Sequence, residues 1–267
     1  MKKVIIWAES EAEALEFMGL FEADMNFIVS KIYIAKRSSG KRDVGHKYRN
    51  GEYFSYDIST RKVSGEPSVA PDSVTEIVQW CSQDIIVTDT QFKPILIIET
   101  TYHILTYNNV AQRIPRIVRG SSLGVPSVIF QKVDKSSTTL ISWFTKALSN
   151  AEEIYKTECL ALIFDDDDFE EAKKLLITLL NNLVNSKKAP VEIKKIHDIM
   201  DEFNKNYDEK VLINGKRGAG RKWLKFEKDK MRVIIGVRDN CALTRVQGYG
   251  CQGTQKEQAK LRSNLSQ

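Results

Sequence analysis

The chain has 267 residues, of which 42% are hydrophobic and 28% charged. This is an ordinary globular composition, and it excludes a low-complexity disordered chain, a collagen and a disulfide miniprotein. No apolar run approaches the roughly 18 residues that a bilayer-spanning helix needs, so we expect a cytoplasmic protein with no membrane partner. Four cysteines without a CxxC pair and three histidines argue against a structural zinc site and for a reducing compartment. Any metal would therefore be held mainly by carboxylates.

The positive charge is concentrated at one end of the chain. Residues 215–267 carry 13 basic and 4 acidic side chains, a net charge of +9, whereas residues 1–214 sum to −4. A basic segment on a mildly acidic body favours a polyanionic partner, most simply nucleic acid; a solvated basic tail is the alternative. We expect a core over residues 1–204, a seam within 204–210, and a basic C-terminal region over 205–267.

Hydrophobic periodicity and turn residues predict a succession of helices and strands. In chain order, the predicted elements are a strand at 2–7, a helix at 9–27, a basic loop at 36–49, a strand at 52–58, a helix at 74–82, strands at 85–87 and 95–98, a helix at 108–120, a strand at 125–133, a helix at 136–155, a strand at 159–164, a helix at 169–184 and a strand at 231–237. Ser73, three residues before Glu76, is predicted to cap its helix, and Pro115 is predicted to kink a helix or begin a second one. Helices alternating with strands indicate an α/β or α+β core with a mixed central sheet flanked by helices.

The strands at 85–87 and 95–98 flank a short polar break and predict a tight antiparallel hairpin in a buried sheet. If the turn is centred between Gln91 and Phe92, residues whose numbers sum to 183 face each other. The opposed pairs are then Asp84 with Glu99, Ile86 with Ile97, and Thr88 with Ile95. Opposed Cβ atoms lie about 4.5 to 5.5 Å apart, so two carboxylates would share one face and repel unless a proton or a cation lies between them. A hard divalent cation such as Mg²⁺, which takes one or two carboxylates, satisfies this arrangement.

The same segment carries a resemblance to a known family. A helix, Gln83-Asp84 heading an apolar strand, a short turn, and an apolar strand ending in Glu99-Thr100-Thr101 resemble the PD-(D/E)xK nuclease superfamily over about residues 70–135. The resemblance implies a restriction-endonuclease-like core, Asp84 and Glu99 as ligands of Mg²⁺, and Glu76 as an additional acid. Gln83 stands where the motif has Pro, and Thr101 stands where it has the Lys that orients the attacking water.

The replacement for that Lys stays open at this point. Period-two alternation places Thr101 and, if the strand continues, His103 on the face of Glu99. There the Thr hydroxyl could hold a water, and a neutral His could accept its proton or bind the metal. Gln112 on the next helix, or a Lys from elsewhere, could also do this. The structural alternative is an exposed carboxylate at a strand start for Asp84 and an edge position for Glu99.

Basic side chains in three places are candidate DNA contacts. Arginines recur every three residues after the hairpin, and would contact phosphates beside the metal; a solvated or salt-bridged helix face is the alternative. The remaining candidates lie in loop 36–49 and in the glycine-containing segment that begins at Gly215, where Trp223 and Phe226 are interleaved. The candidate set is Arg113, Arg116, Arg119, Lys41, Arg42, Lys216, Arg217, Arg221 and Lys222. The acids Asp165–Asp168 are predicted to cap the next helix and complement its macrodipole rather than to form a second metal site.

Together these features predict a Mg²⁺-dependent endonuclease that hydrolyses phosphodiester bonds of double-stranded DNA. The size and the basic additions favour a type II restriction endonuclease, working as a homodimer on a symmetric site. Two alternatives remain: a repair or junction nuclease of the same fold, and a non-catalytic DNA-binding module that has lost the motif Lys.

Overall fold

The computed structural model describes residues 1–36, 52–78, 83–101, 107–133, 138–205, 223–227 and 232–236. Ten strands and six α-helices lie within these ranges. In chain order they are β1 (Lys3–Ser10), α1 (Glu11–Phe21), β2 (Ile28–Lys36), β3 (Glu52–Asp57), β4 (Lys62–Val69), α2 (Asp72–Val78), β5 (Ile85–Asp89), β6 (Pro94–Thr101), α3 (Tyr107–Ser122), β7 (Ser127–Lys132), α4 (Thr138–Tyr155), β8 (Cys159–Phe164), α5 (Phe169–Val184), α6 (Pro190–Asn204), β9 (Trp223–Glu227) and β10 (Arg232–Gly236).

Eight of the strands form one mixed sheet in the order β4-β3-β2-β1-β5-β6-β7-β8. Strand β1 is parallel to β2 and antiparallel to β5, and β5 with β6 forms the predicted antiparallel hairpin. Strands β6, β7 and β8 run parallel, with α3 and α4 as their connections. The mixed α/β architecture is therefore confirmed.

Both faces of the central strands are buried, because apolar side chains alternate between two clusters. On one face Ile6 joins Phe17 and Phe21 of α1 and Phe130 of β7. On the other face Trp7 joins β5, β6 and the helix α2. The rings of Phe130 and Phe164 lie 4.2 Å apart between centroids. Each fully buried side chain of this size contributes about 1.5 to 3 kcal/mol, so this packing fixes the strands that carry the site.

Strand β1 passes directly into α1. Ser10 has extended backbone angles, and its hydroxyl oxygen accepts a hydrogen bond from the backbone N–H of Ala12, which caps the helix. The same hydroxyl donates to the carboxylate of Glu13. The helix ends at Phe21, before the predicted end at Phe27, because a 3₁₀ turn over Glu22–Asp24 precedes β2.

Four elements were not predicted. The end of the helix before β2 was predicted too late, and β2 itself was not predicted. Strand β4 is a mostly exposed edge strand that contains Lys, Gly and Pro, so its sequence has no clear apolar pattern. The other two are helix α6, which begins with Pro190, and strand β9, which pairs with β10.

One local prediction was wrong, and one of the two alternatives for Pro115 is excluded. The helix α2 begins at Asp72, so Ser73 lies inside its first turn and donates its hydroxyl to the carbonyl of Phe92 at 2.7 Å instead of capping. Helix α3 is continuous from Tyr107 to Ser122, with Pro115 inside it, so Pro115 does not begin a second helix.

Several predicted features lie outside the described residues. These are residues 37–49 of the basic loop, with Lys41 and Arg42, residues 206–210 of the seam, and the tail residues Lys216, Arg217, Arg221 and Lys222. Among the helices that the structure describes, none combines the length and the apolar character that crossing a bilayer requires.

Candidate metal centre

The register of the β5–β6 hairpin decides where the two predicted carboxylates lie. Ile85 is paired with Ile98, Ile86 with Ile97 and Val87 with Leu96, which confirms the predicted register. It shifts after Val87, so Thr88 pairs with Pro94 and not with the predicted Ile95. The reason is a short loop in which Phe92 takes a left-handed φ of 65°, a geometry that produces a bulge. The shift lies on the turn side, so it does not affect Asp84 and Glu99.

Glu9 of β1 extends this pair into a row of three carboxylates. Trp7 is paired with Ile86, and the backbone N–H of Glu9 donates to the carbonyl of Asp84 at 2.9 Å. Glu9, Asp84 and Glu99 therefore occupy adjacent positions across three neighbouring strands, with 8%, 5% and 0% of their surfaces exposed. Glu9 was not predicted as a site residue. It lies two residues after Trp7 on an apolar strand, but the sequence does not indicate that β1 lies beside β5.

Backbone groups hold two of these carboxylates in place. Glu99 Oε1 accepts a hydrogen bond from the backbone N–H of Asp84 at 3.0 Å. Asp84 Oδ2 accepts one from the backbone N–H of Thr100 at 2.9 Å. Each carboxylate is thus fixed by the other residue's strand, and the site's geometry is built into the hairpin itself.

Two arginines of α3 reach the same carboxylates. Arg116 Nη1 lies 3.0 Å from Asp84 Oδ1, 3.1 Å from Glu99 Oε2 and 3.4 Å from Glu9 Oε2. Arg113 Nη1 lies 3.2 Å from Glu99 Oε2 and 3.4 Å from Asp84 Oδ2. Residues three apart lie on one helix face, so both guanidinium groups approach the row from the same side. Arg113 and Arg116, which were predicted to contact DNA phosphates, are ion-paired with the carboxylates in this structure.

A glycine lets α3 lie close to the sheet. A Cβ atom at Gly120 would overlap with Ser127 Oγ and lie 2.5 Å from Ile97 Cδ1. Arg119, on the same helix, instead donates to the backbone carbonyl of Glu76 at 2.8 Å. Of the three arginines that recur every three residues, Arg113 and Arg116 therefore lie at the carboxylates and Arg119 lies at α2.

The electrostatics of the row reflect its burial. Burial raises the pKa of Asp84, and Arg113 and Arg116 oppose the rise. Burial, together with the neighbouring Asp84, raises the pKa of Glu99 to about 8, again against the two arginines. The carboxylates in turn raise the pKa of Arg116, which stays charged. Like charges this close share protons. Near neutral pH the three carboxylates therefore retain a proton unless a further cation binds beside them.

Oxygen atoms from a second combination of acids also converge. Glu9, Glu13 and Asp84 each offer a carboxylate oxygen within 4.8 Å of the others, and among the described residues they form the group that could hold a metal ion. Glu13, from the first turn of α1, was not predicted. An all-oxygen donor set suits a hard cation such as Mg²⁺. Because Mg–O distances are about 2.0 to 2.1 Å, a cation between Asp84 and Glu99 requires the carboxylates to close in and the guanidinium of Arg116 to withdraw.

The other predicted site residues lie as follows. Glu76 is on α2 with its side chain 61% exposed, 4.0 Å from Arg119, and it is not part of the carboxylate row or of the metal-binding group. Thr101 is the buried last residue of β6. Gln112 lies on α3, with its side chain outside the described residues, and His103 lies outside them entirely.

The run Asp165–Asp168 forms the turn before α5, but Asp168 at the N-cap position makes no side-chain capping hydrogen bond, so the predicted side-chain cap is not formed there. Asp165 Oδ1 accepts hydrogen bonds from the backbone N–H groups of Asp167 and Asp168 at 3.0 and 3.2 Å. Asp166 pairs with Lys132 at 2.5 Å. Within the described part of the chain, these acids are not part of the group whose oxygens could hold a metal.

Comparison with known proteins finds no counterpart for this chain. No family model matches it, and neither a curated protein nor a solved structure matches it. The functional interpretation of the carboxylate row therefore depends on its own geometry and chemistry.

Proposed function

We propose that this protein is a Mg²⁺-dependent endodeoxyribonuclease, and that Asp84 and Glu99 hold its metal ion. One observation carries the proposal: two buried carboxylates on neighbouring strands both contact a single cationic atom, Arg116 Nη1, at 3.0 and 3.1 Å. Replacing such buried ion pairs by apolar side chains is often neutral or stabilising. Stability alone therefore does not account for these buried charges. Two carboxylates with raised pKa values at one point of a sheet favour a chemical role over a structural one.

The side chains of the carboxylate row and its neighbours have different roles in this proposal. Asp84 and Glu99 would hold the cation, with Glu9 beside them and Glu13 within reach of Asp84 and Glu9. When bound, the cation would lower the pKa of a water and offset charge on the phosphodiester. Thr101, or Gln112 as another sequence candidate, would orient the water, and His103 is the sequence candidate that would accept its proton. The water attacks phosphorus, one P–O bond breaks, and the products are a phosphate monoester and a hydroxyl end.

The charge distribution supports a polyanionic substrate. Residues 215–267 carry a net charge of +9, and the side chains of Arg113 and Arg116 remain 18% exposed although they contact buried acids. A basic region beside a metal centre suits DNA, whose phosphates dominate affinity. A type II restriction endonuclease acting as a homodimer is the specific form that we propose, with a repair or junction nuclease as the alternative.

Cleavage assays test the proposal. We expect the wild type with Mg²⁺ to cut plasmid or phage DNA into discrete bands, whereas a repair enzyme would prefer flaps or four-way junctions. Asp84→Asn should abolish cleavage and retain DNA binding. Asp166→Asn, which removes a carboxylate from the separate turn before α5, is the matched control and should cut normally. Intact DNA with the wild type over a range of salt and metal concentrations would refute the proposal.

A second function has its own supporting observation. Arg113 and Arg116 already neutralise most of the carboxylate charge, and Thr101 replaces the motif Lys, as expected of a DNA-binding module without catalysis. Such a module would bind DNA in a salt-dependent manner, would keep binding in Glu99→Ala, and would show no turnover. An enzyme would lose cleavage in the same variant and keep binding.

A further inference from the structure

Arg116 lies where a metal ion between Asp84 and Glu99 would have to lie. Its Nη1 atom contacts Asp84 Oδ1 and Glu99 Oε2 at 3.0 and 3.1 Å, and a cation shared by the two residues would need these oxygens. The opposite Glu99 oxygen, Oε1, is taken by the backbone N–H of Asp84. A guanidinium and a divalent cation cannot share this buried position, because their charges repel strongly where water does not screen them.

We propose that Arg116 is an exchangeable counter-ion of the metal centre. It holds the carboxylates in the absence of metal, and it passes to a phosphate of the nucleic acid when a divalent cation enters. Metal and DNA binding are then coupled, each strengthening the other. The inference rests on the proposed function, since it names what regulates that same site.

The position of the side chain permits the exchange. Glu99 is fully buried, but 18% of the Arg116 side chain remains exposed, so this side chain borders the solvent. The backbone of α3 is anchored by Ile114 and Ile117, at 2% and 0% exposure, and by the close approach at Gly120. A change of side-chain rotamer therefore suffices, and the helix stays in place.

A phosphate is the appropriate receiving group. The guanidinium has a planar fork of donors that matches a phosphate or a carboxylate with two parallel hydrogen bonds. When Arg116 leaves, its guanidinium loses contacts with three carboxylates. A buried charge without a partner is costly, so the guanidinium needs another anion. Without a new anion, the guanidinium competes for the site and metal binds weakly. With DNA present, the phosphate offsets the loss.

Titration of Mn²⁺, followed by the electron paramagnetic resonance signal of the free ion, tests the exchange. The samples are the wild type, Arg116→Gln, Arg116→Lys and Lys173→Gln, each with and without a short mixed-sequence duplex with non-hydrolysable linkages. Lys173→Gln controls for the loss of one positive charge, because Lys173 pairs with Asp24 on the surface. We expect the duplex to tighten Mn²⁺ binding by the wild type about 5- to 150-fold, the usual range of coupling between two sites.

The decisive comparison is made without DNA. Arg116→Gln should bind Mn²⁺ more tightly than the wild type by a similar factor and gain little more from the duplex, whereas Arg116→Lys and Lys173→Gln should bind as weakly as the wild type. If Arg116→Gln requires metal to fold, Mn²⁺ should restore its cooperative thermal unfolding, which supports the exchange. Equal Mn²⁺ affinities of wild type and Arg116→Gln, or an Arg116→Gln variant that Mn²⁺ does not refold, would overturn it.

The outcomes separate this inference from the proposed function. Metal-dependent DNA cleavage by the wild type, combined with an unchanged Mn²⁺ affinity in Arg116→Gln, refutes the exchange and leaves the nuclease intact. Absence of Mn²⁺ binding in every sample, combined with absence of cleavage, refutes both.

Discussion

Glu99 should make the stability of the metal-free protein depend on pH. Burial and the neighbouring Asp84 raise its pKa from 4.5 to about 8. A carboxyl whose pKa is raised in the folded state contributes stability that is fully present below the unfolded pKa and is lost as pH rises through the folded pKa. The folded protein should therefore become less stable between pH 4.5 and about pH 8 and level off above that.

The size of the effect follows from proton linkage. One extra proton held by the folded state changes the free energy of unfolding by about 1.4 kcal/mol per pH unit. Allowing for partial ionisation near the folded pKa, the loss between pH 6 and pH 8 is about 2 kcal/mol. With a urea dependence of about 2 kcal/mol per molar, the unfolding midpoint should fall by about 1 M.

Urea unfolding in a chelating buffer at a series of pH values measures this loss. Glu99→Gln has no proton to release, so its stability should vary much less over the same range, and the difference between the two slopes isolates Glu99 from other titrating groups. Equal slopes for the wild type and Glu99→Gln would show that Glu99 is ionised in the folded protein at neutral pH, and would refute the electrostatic account of the row.

Three further predictions concern the rest of the fold. Phe130→Ala removes a fully buried ring packed on Phe164, so the free energy of unfolding in urea should fall by about 3 to 5 kcal/mol; a loss under 1 kcal/mol would contradict the packing. Burial raises the pKa of Cys159 to about 12. Mass spectrometry should therefore find Cys159 alkylated by iodoacetamide in urea and unmodified in the native protein. Alkylation of Cys159 in the native protein would contradict its burial. His197 lies 2.9 Å from Glu152, and their hydrogen bond raises the pKa of His197 above 6.5. Calorimetry should therefore show a stabilisation that is present below pH 6.5, is lost as pH rises through the folded pKa, and is absent from His197→Gln. Identical pH profiles for the wild type and His197→Gln would contradict a stabilising His197–Glu152 pair.

Local patterns predicted the hairpin and its carboxylate pair. A turn centred between Gln91 and Phe92 gives the register of the apolar runs at 85–87 and 95–98, and this register placed Asp84 opposite Glu99. The elements β8 and α5 also lie where the sequence places them, because their apolar periodicity is complete and sharply bounded. Turn conformation is less predictable, since a left-handed Phe92 is unusual and shifts the pairing at Thr88.

Residues that reach the site from distant parts of the chain were not predicted. Glu9 joins the row because β1 pairs with β5, and no local pattern indicates which strands of a sheet are neighbours. The partners of Arg113 and Arg116 depend on how closely α3 packs on the sheet, which Gly120 determines through contacts with β6 and β7. A stripe of arginines in sequence is equally compatible with a DNA-facing surface and with buried ion pairs.

Anomalous X-ray diffraction from crystals containing Mn²⁺ and a non-hydrolysable DNA duplex tests the central claim most directly. The account predicts an anomalous peak bonded to oxygens of Asp84 and Glu99, with Arg116 Nη1 displaced from its present contacts at 3.0 and 3.1 Å and bonded to a phosphate. Arg116 still bridging the two carboxylates, with DNA bound and no anomalous peak at the row, would contradict it.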